Sequence, residues 1–196
     1  MSDHHESTPI AARVRRLEES VIAAGLTTDD ELDLILTRYL DRASPLNGAR
    51  LVARAWTDGA FRARLLADAN DALTELGLSM GGGLQPQRLR VVANDPAHHN
   101  VIVCTLCSCY PISLLGPSPS WYKSEAYRSR VVREPRAVLV EFGLTLPDDV
   151  EITVWDASAE SRYLVLPVRP AGTDDLSEAE LTALVTREGL IGTAVV

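Results

Sequence analysis

The sequence predicts an α+β protein, in which an N-terminal helical arm is followed by an α/β metal-binding domain that carries a cysteine-claw loop. Three observations predict this class. Apolar residues recur at helical spacing in the first third of the chain, short β-branched runs follow from Leu89 onward, and residues 104–109 hold all three cysteines. At 196 residues the chain can bury one sizeable core. We expect the arm over residues 1–80 and the metal-binding domain over residues 81–196.

Four helices are predicted in the arm, over residues 11–24, 29–43, 48–56 and 60–76. The second follows the capping-type residues Thr27 and Thr28. Its apolar residues recur at helical spacing and form an amphipathic stripe: Leu32, Ile35, Leu36, Tyr39 and Leu40. The fourth is expected to be one helix that ends at Gly77, because glycine is common just after a helix.

Short apolar runs predict four strands in the second part of the chain. They cover residues 89–92, 101–105, 150–155 and 163–168. Helical stretches are predicted between them, over residues 120–131 and 135–142. A last helix is expected over residues 177–185, with Ser177 as its cap and Glu180 as the third-position partner of a capping box.

The cysteines form the motif Cys-x-x-Cys-x-Cys, whose spacing suits chelation of one metal ion. The sulfurs of Cys107 and Cys109, with the backbone nitrogens of Ser108 and Cys109, can form a square plane around the ion. Cys104 can approach from one side as an axial ligand, which leaves the opposite position open. Backbone amides bind metals only when deprotonated, so this anionic ligand set suits a small trivalent ion better than zinc.

Three other interpretations of the cysteines stay open on spacing alone. A structural zinc site would need an outside ligand, for which His98 or His99 could serve, although both histidines fit solvated loop positions. A disulfide with one free thiol is a second interpretation, although cysteines one residue apart are poorly placed for the bridge. Inert buried thiols are the third.

Several motifs around the cysteines together resemble a known family, the α subunit of nitrile hydratase, over nearly the whole chain after about residue 25. The motifs are Val103-Cys-Thr-Leu-Cys-Ser-Cys-Tyr110, Trp121-Tyr122-Lys123, Tyr127-Arg128, Arg130-Val-Val-Arg-Glu-Pro-Arg136 and Val154-Trp155-Asp156. The resemblance implies an enzyme that hydrates a nitrile to the amide, with its catalytic centre in residues 81–196. It also implies a partner β subunit that the helical arm contacts.

The resemblance further implies a low-spin cobalt(III) or iron(III) centre with oxidised cysteines. Cys104 would be the axial thiolate, Cys107 a sulfinic acid and Cys109 a sulfenic acid, and Ser108 would supply an amidate nitrogen. Thr105 and Tyr110 resemble the cobalt-type variant of the motif, so cobalt(III) is expected rather than iron(III). Oxidation changes electron donation by the sulfurs and adds hydrogen-bonding oxygens.

Catalytic and supporting roles follow from the same resemblance. The attacking oxygen could belong to a free water, a metal hydroxide or the Cys109 sulfenate, and the Ser108 hydroxyl is a candidate hydrogen-bond partner of substrate or sulfur. A trivalent ion would act as a Lewis acid. Four residues match positions that support the metal loop or lie close to it: Gln85, Asp156, Glu160 and Arg162.

Substrate and exact activity are less well determined by the sequence. Tyr110-Pro111-Ile112-Ser113 stands where the family commonly has Tyr-Pro-Trp-Pro, so a smaller side chain predicts a roomier pocket for a bulky or heteroaromatic nitrile. Thiocyanate hydrolase uses a similar cobalt subunit, and a non-catalytic cobalt carrier is an alternative from another class.

Composition limits the remaining partners. The net charge of −8 argues against binding to nucleic acid or to an anionic membrane. No segment has the 18 or more apolar residues of a membrane span, and the N-terminus lacks the apolar stretch of a signal peptide. Cysteines confined to one loop also fit a reducing compartment. We therefore expect a cytoplasmic protein.

Overall fold

The computed structural model describes residues 9–41, 43–80, 87–107 and 109–196. The chain forms two compact units that divide between residues 41 and 42. The predicted boundary between residues 80 and 81 adjoins residues 81–86, which lie outside the described residues, and it stays a prediction. None of the helices in the described ranges is long and apolar enough to cross a membrane.

The first unit contains the two helices predicted there, α1 (Pro9–Ala23) and α2 (Asp29–Asp41). Thr28 caps α2 in a reciprocal arrangement. Its hydroxyl accepts a hydrogen bond from the Glu31 amide at 3.2 Å, while its own amide donates to the Glu31 carboxylate at 3.0 Å. Both helices carry exposed apolar side chains, which include Ile10, Val14, Leu17, Leu34, Ile35 and Leu36.

The second unit begins with three helices, α3 (Pro45–Thr57), α4 (Gly59–Ala67) and α5 (Ala69–Glu75). The single helix predicted over residues 60–76 is wrong, because the chain breaks at Asp68. This residue has an extended backbone, and its carboxylate accepts hydrogen bonds from the amides of Asn70 and Asp71. An aspartate side chain can satisfy the free amides at the start of a new helix, which favours the break.

In the described residues of the second unit, four strands form two parallel pairs. Strand β1 (Arg88–Ala93) pairs with β4 (Ser161–Leu166), and β2 (His98–Val103) pairs with β3 (Glu151–Asp156). All four predicted strands are present, with ends shifted by up to three residues. In the β2–β3 pair, Val103 lies opposite Asp156, so both strands end at the same edge of their sheet.

Further α-helices connect or follow the strands, and those over residues 109–196 are α6 (Ile112–Leu115), α7 (Glu125–Arg130), α8 (Pro135–Glu141), α9 (Glu178–Leu184) and α10 (Arg187–Ile191). A short 3-10 turn precedes α7, where one helical stretch was predicted. The capping box of Ser177 and Glu180 is confirmed at the start of α9. Helices α6 and α10 were not predicted, because four or five residues show too little periodicity.

One hydrophobic core joins these helices and strands. It takes buried side chains from α3 to α5, from β2 and from β4, among them Leu51, Phe61, Leu65, Leu73, Val101, Ile102, Val103, Leu164 and Leu166. Strand β2 is buried over its last five residues. The cysteine loop therefore starts from a rigid, fully packed strand.

The two adjacent histidines lie on β2, and only one is solvated. His98 is exposed and lies 2.9 Å from the Asp95 carboxylate. His99 is buried, with its Nε2 2.7 Å from the Gly192 carbonyl oxygen and its Nδ1 3.2 Å from the Asn94 amide nitrogen. The interpretation of both as solvated loop residues is wrong for His99, because the strand begins earlier than predicted and turns that side chain inward.

Acid is expected to destabilise the protein through His99. Burial lowers the pKa of this imidazole below its ordinary value of 6.5. A lowered folded-state pKa means that the unfolded chain binds the proton first, so the stabilisation is present above about pH 6.5 and is lost as the pH falls below it. We expect the melting temperature of the wild type to fall more between pH 7.5 and 5.5 than that of His99→Gln. Equal losses would contradict this.

Candidate metal centre

The cysteine loop, residues 104–109, starts where β2 leaves the core. Val103 is fully buried and its carbonyl accepts a hydrogen bond from the Ala157 amide at 2.7 Å. Cys104 follows at once and is itself buried, whereas Cys107 is exposed and Cys109 is partly buried. The loop thus has one anchored end and presents its middle cysteine to solvent.

The three sulfurs lie within 4.8 Å of one another. The Sγ atoms of Cys104 and Cys107 are 3.2 Å apart, and those of Cys107 and Cys109 are 3.1 Å apart. Among the residues that the structure describes, they form the one group of three or more His, Cys, Asp or Glu side chains that could hold a metal ion. The predicted ligand sulfurs therefore come together.

These distances can be compared with metal geometry. At a metal–sulfur bond of about 2.3 Å, two sulfurs at a right angle lie about 3.3 Å apart, and two at a tetrahedral angle about 3.8 Å. The observed 3.1 and 3.2 Å fit adjacent corners of a square or octahedron better. The separations of Cys107 from Cys104 and from Cys109 thus fit a small ion of that geometry.

The three alternative interpretations of the cysteines do not agree with this arrangement. No disulfide joins the three cysteines, and the exposed Cys107 is not an inert buried thiol. For zinc, the needed outside ligand is missing from the sulfur cluster within the described part of the chain, because neither histidine joins it. His98 contacts Asp95, and His99 contacts Gly192.

Asp156 ties the first part of the loop to the end of β3. Its carboxylate accepts a hydrogen bond from the Thr105 amide at 2.9 Å and another from the Thr105 hydroxyl at 2.5 Å. The pairing of Val103 with Asp156 brings these groups together, because the loop leaves β2 at that edge. Asp156 therefore holds the backbone between Cys104 and Cys107.

Arg162 lies on β4 and acts on the loop through its charge. The side chain is buried, its guanidinium donates to the carbonyls of Ser158 and Ser161, and its Nε has no hydrogen-bond partner among the described residues. Burial, helped by contact with the Cys107 sulfur, raises the pKa of the Cys109 thiol to about 12, and the Arg162 charge opposes this. A metal ion must displace that proton to bind the sulfur.

The remaining predicted site residues are not in contact with the loop or lie outside the described residues. Glu160 is exposed, and its backbone carbonyl accepts a hydrogen bond from the Arg88 amide, but its carboxylate pairs with no cation in the described ranges. Gln85 and Ser108 lie outside the described residues. Their predicted roles, and the supporting role of Glu160, stay predictions.

Two residues that contact the loop were not singled out from the sequence. The Arg128 guanidinium donates to the carbonyls of Thr105 and Cys107, both at 3.3 Å, and the Tyr122 hydroxyl donates to the Cys109 carbonyl at 3.1 Å. Both residues lie in motifs that carried the family resemblance. Their place in these motifs could have identified the two residues as candidates, but a motif does not indicate which atoms a side chain contacts.

A cluster of aromatic rings packs behind the loop. The ring centroids of Tyr110 and Tyr122 are 4.9 Å apart, as are those of Trp121 and Tyr127. The buried Tyr127 hydroxyl donates to the Ile102 carbonyl on β2 at 2.7 Å. Burial raises the pKa of Tyr122 and Tyr127, so both phenols stay neutral donors. The cluster therefore joins α7, the 3-10 turn and the strand that carries Cys104.

Comparison with known proteins decides the family. The family model described as nitrile hydratase, alpha chain, matches residues 8–194. The chain belongs to this family. It is 50% identical to the low-molecular weight cobalt-containing nitrile hydratase subunit alpha of Rhodococcus rhodochrous. The alignment extends over 186 residues, which are 95% of this chain and 88% of the relative. The resemblance is confirmed, and the chain is a subunit of an enzyme of the nitrile hydratase type.

Two other similar proteins differ from this cobalt-containing relative, one in its metal and the other in its activity. An Fe-type nitrile hydratase from Comamonas testosteroni Ni1, solved as a double mutant, superposes with a TM-score of 0.87 at 43% identity, over 95% of this chain and 89% of that one. The thiocyanate hydrolase subunit gamma of Thiobacillus thioparus is 46% identical over 80% of this chain and 68% of its own length. The predicted α+β class with a cysteine loop is confirmed for this nitrile hydratase family member.

Removal of the Asp156 charge is expected to weaken the metal loop. In Asp156→Asn the amide keeps one acceptor but places a donor opposite the Thr105 amide or hydroxyl. Residues that orient metal ligands typically contribute 10- to 100-fold to affinity, so cobalt should be lost to a chelator about 10- to 100-fold faster. Cobalt content during a chelator challenge measures this.

Asp175→Asn serves as the matched control, because Asp175 is an exposed aspartate outside the loop. It should lose cobalt at the wild-type rate. If Asp156→Asn also lost cobalt at the wild-type rate, the two hydrogen bonds between Thr105 and Asp156 would not contribute to metal retention.

Proposed function

We propose that this chain is the α subunit of a heteromeric nitrile hydratase, which adds water to an organic nitrile to give the amide. One observation carries the proposal: in this member of the family, the sulfurs of Cys104, Cys107 and Cys109 lie within 4.8 Å of one another. The cobalt-containing enzymes to which it is similar support the same activity.

The proposed cofactor is cobalt(III), with iron(III) as the alternative. Its ligands would be the sulfurs of Cys104, Cys107 and Cys109 and the backbone nitrogens of Ser108 and Cys109, as the motif predicts. When bound, the ion supplies Lewis-acid chemistry that makes the nitrile carbon electrophilic. The 50% identity to cobalt-containing subunits favours cobalt, although an Fe-type neighbour is also similar.

The chain's own residues would hold the centre open to the substrate. Leu106 is 92% exposed and Cys107 is exposed, so a small molecule can reach that side of the loop. Asp156 accepts hydrogen bonds from Thr105 and would maintain the geometry of the loop. The charge of Arg162 favours the anionic form of Cys109 and would balance negative charge there. Oxidation of Cys107 to the sulfinic and Cys109 to the sulfenic acid belongs to this proposal and would place oxygen acceptors beside the substrate.

The proposal includes a β subunit as partner. The exposed loop and the exposed apolar residues of α1, Ile10, Val14 and Leu17, are surfaces that such a partner can cover. Part of the substrate pocket would then belong to the other chain. We also propose a cytoplasmic location, because all three cysteines are reserved for one loop and none forms a disulfide.

The proposed substrate is a bulky or heteroaromatic nitrile. Ile112 replaces the family's large aromatic residue, and it lies partly buried at the start of α6, close after the cysteine loop. By this proposal, a smaller side chain there would leave more room for the substrate than the family's aromatic residue does. The expected result is faster turnover of a bicyclic aromatic nitrile than of acetonitrile, and a strong preference for acetonitrile would contradict the roomier pocket.

The deciding experiment combines metal analysis, intact mass and activity on the complex produced with its β chain in cobalt medium. We expect about one cobalt per α chain, three added oxygen atoms mapped to Cys107 and Cys109, and conversion of nitrile to amide. Zinc on three unmodified cysteines under the same conditions would contradict both the cofactor and the activity.

Thiocyanate hydrolysis is the second candidate, favoured by the 46% identity to a thiocyanate hydrolase subunit. Thiocyanate also has a carbon–nitrogen triple bond, but it is a small anion that needs a positively charged pocket. The same cobalt-loaded complex should be tested on both substrates at equal concentration. Faster turnover of thiocyanate would favour this candidate, and persistent inactivity on both would favour a non-catalytic cobalt carrier.

A further inference from the structure

Arg128 on α7 is a half-buried cation whose hydrogen bonds go to the cysteine loop. Its Nη1 lies 3.3 Å from the carbonyl oxygens of both Thr105 and Cys107. Its Nε is buried and has no hydrogen-bond partner in the described part of the chain. No carboxylate of that part forms an ion pair with it. The guanidinium therefore contacts the loop, and among the described side chains it has no carboxylate partner.

A neighbouring arginine on the same helix shows the contrast. Arg130 pairs with the carboxylates of Glu134 and Glu141, each at 2.6 Å. Of these two arginines on α7, only Arg130 forms ion pairs with carboxylates of the described residues. A half-buried guanidinium that lacks an anion has lost hydration without a compensating charge. A negatively charged group in the loop that Arg128 contacts would compensate for this lost hydration.

The loop itself can supply this negative charge. In the proposed centre the three sulfurs are anionic, and the carbonyl of Cys107 belongs to the same peptide group as the next residue's amide nitrogen, a proposed metal ligand. Resonance in a peptide group shares electron density between its oxygen and its nitrogen. A cation that donates a hydrogen bond to the oxygen therefore stabilises negative charge on the whole group.

The two acceptors also lie at two separate points of the loop. Thr105 follows the buried Cys104, and Cys107 is exposed, so one guanidinium joins the anchored end of the loop to its solvent side. Asp156 holds only Thr105, and Tyr122 holds only the Cys109 carbonyl. In the described residues, Arg128 is the side chain that spans the turn between the first two cysteines.

We propose that Arg128 is a positioning residue that holds the cysteine loop in its metal-binding conformation and stabilises the negative charge of the loaded centre. The second part of this statement rests on the proposed function, whereas the first does not. Arg128 does not contact the reacting atoms. It acts through the backbone of Thr105 and Cys107.

The test uses the complex of this chain with its β subunit, as wild type, Arg128→Gln, Arg128→Lys and Arg133→Gln. Arg133 is the matched control, because it is an exposed arginine that also donates to a backbone carbonyl, that of Ser129 at 2.9 Å. Two measurements are made. Hydrogen exchange of the loop amides is followed in the metal-free complex, and cobalt loss to a chelator is followed in the loaded complex, together with the sulfur-to-cobalt absorption band.

The loop amides of Arg128→Gln should exchange about 10-fold faster than those of the wild type, because the loop loses two hydrogen bonds from a charged donor. The variant should lose cobalt about 10- to 100-fold faster, in line with the affinity lost when residues that orient metal ligands are replaced. Arg128→Lys keeps the positive charge, so it should retain cobalt better than Arg128→Gln does. Its sulfur-to-cobalt absorption band should be shifted relative to that of the wild type. Arg133→Gln should match the wild type in every measurement. Unchanged exchange in Arg128→Gln would overturn the positioning role.

The outcomes also separate this inference from the proposed function. A wild type that retains cobalt but hydrates no nitrile, with faster cobalt loss in Arg128→Gln, would contradict the activity and support the inference. A wild type that binds no cobalt would contradict the proposed function and the stabilisation of the loaded centre. In that case the exchange of the metal-free loop would still support or overturn the positioning role of Arg128.

Discussion

Replacement of Cys109 by alanine is expected to abolish nitrile hydration by the αβ complex. The three sulfurs lie within 4.8 Å, and the change removes one of three sulfur donors and leaves the Cys107 sulfur without its neighbour at 3.1 Å. Residues that merely orient ligands contribute 10- to 100-fold to affinity, so loss of a ligand should lower cobalt affinity by more than about 100-fold. Cobalt content and amide production on the purified complex measure the effect.

Ser129→Ala is the control for this change. The Ser129 hydroxyl is exposed and donates only to the Ala126 carbonyl on its own helix, at 3.4 Å. Its loss should leave cobalt content and activity at wild-type values. Retention of one cobalt and of full activity in Cys109→Ala would contradict the assignment of this sulfur as a ligand.

Gly192→Ala is expected to give the largest loss of stability. Gly192 ends α10 with φ of +90°, a conformation that residues with a Cβ rarely adopt. An added Cβ would lie 2.0 Å from the Asn100 carbonyl oxygen and 3.0 Å from Val101 Cα, both atoms of the buried strand β2. Backbone strain and overpacking together should cost about 2–5 kcal/mol. Urea denaturation gives this value.

Gly143→Ala separates the two contributions. Gly143 also has a positive φ, +86°, but a Cβ added there would meet no atom within 4 Å. Its substitution should cost only the backbone strain, about 1–2 kcal/mol. Equal destabilisation by the two substitutions would show that strand β2 yields to the extra methyl group without cost.

The helices and strands were predictable wherever a local pattern is long enough. The capping box of Ser177 and Glu180 was readable because its two hydrogen bonds join residues three apart in sequence. Asp68 shows the limit of such patterns. The apolar positions of α4 and α5 continue across it, and the break depends on whether its carboxylate caps the next helix, which the pattern does not reveal.

The candidate site likewise has a part that the local sequence predicts and a part that depends on the fold. The three sulfurs lie within six residues, so the loop brings them together almost without help from the rest of the fold. Arg128 and Tyr122 reach the loop from 13 to 23 residues away, and Asp156 from 51 residues away. The resemblance drew attention to Asp156 and Arg162, but only the three-dimensional packing reveals which side chains contact the loop.

The sequence by itself determined the family, the α+β class and the cluster of three cysteines that could hold a metal ion, because each is encoded in contiguous motifs. Tertiary structure alone decided that His99 is buried against Gly192, that Asp156 holds Thr105, and that Arg128 donates hydrogen bonds to the loop. The physical reason is that these contacts join segments distant in sequence. Their geometry depends on the pairing of β2 with β3 and on the packing of α7 and α10, which no local pattern specifies.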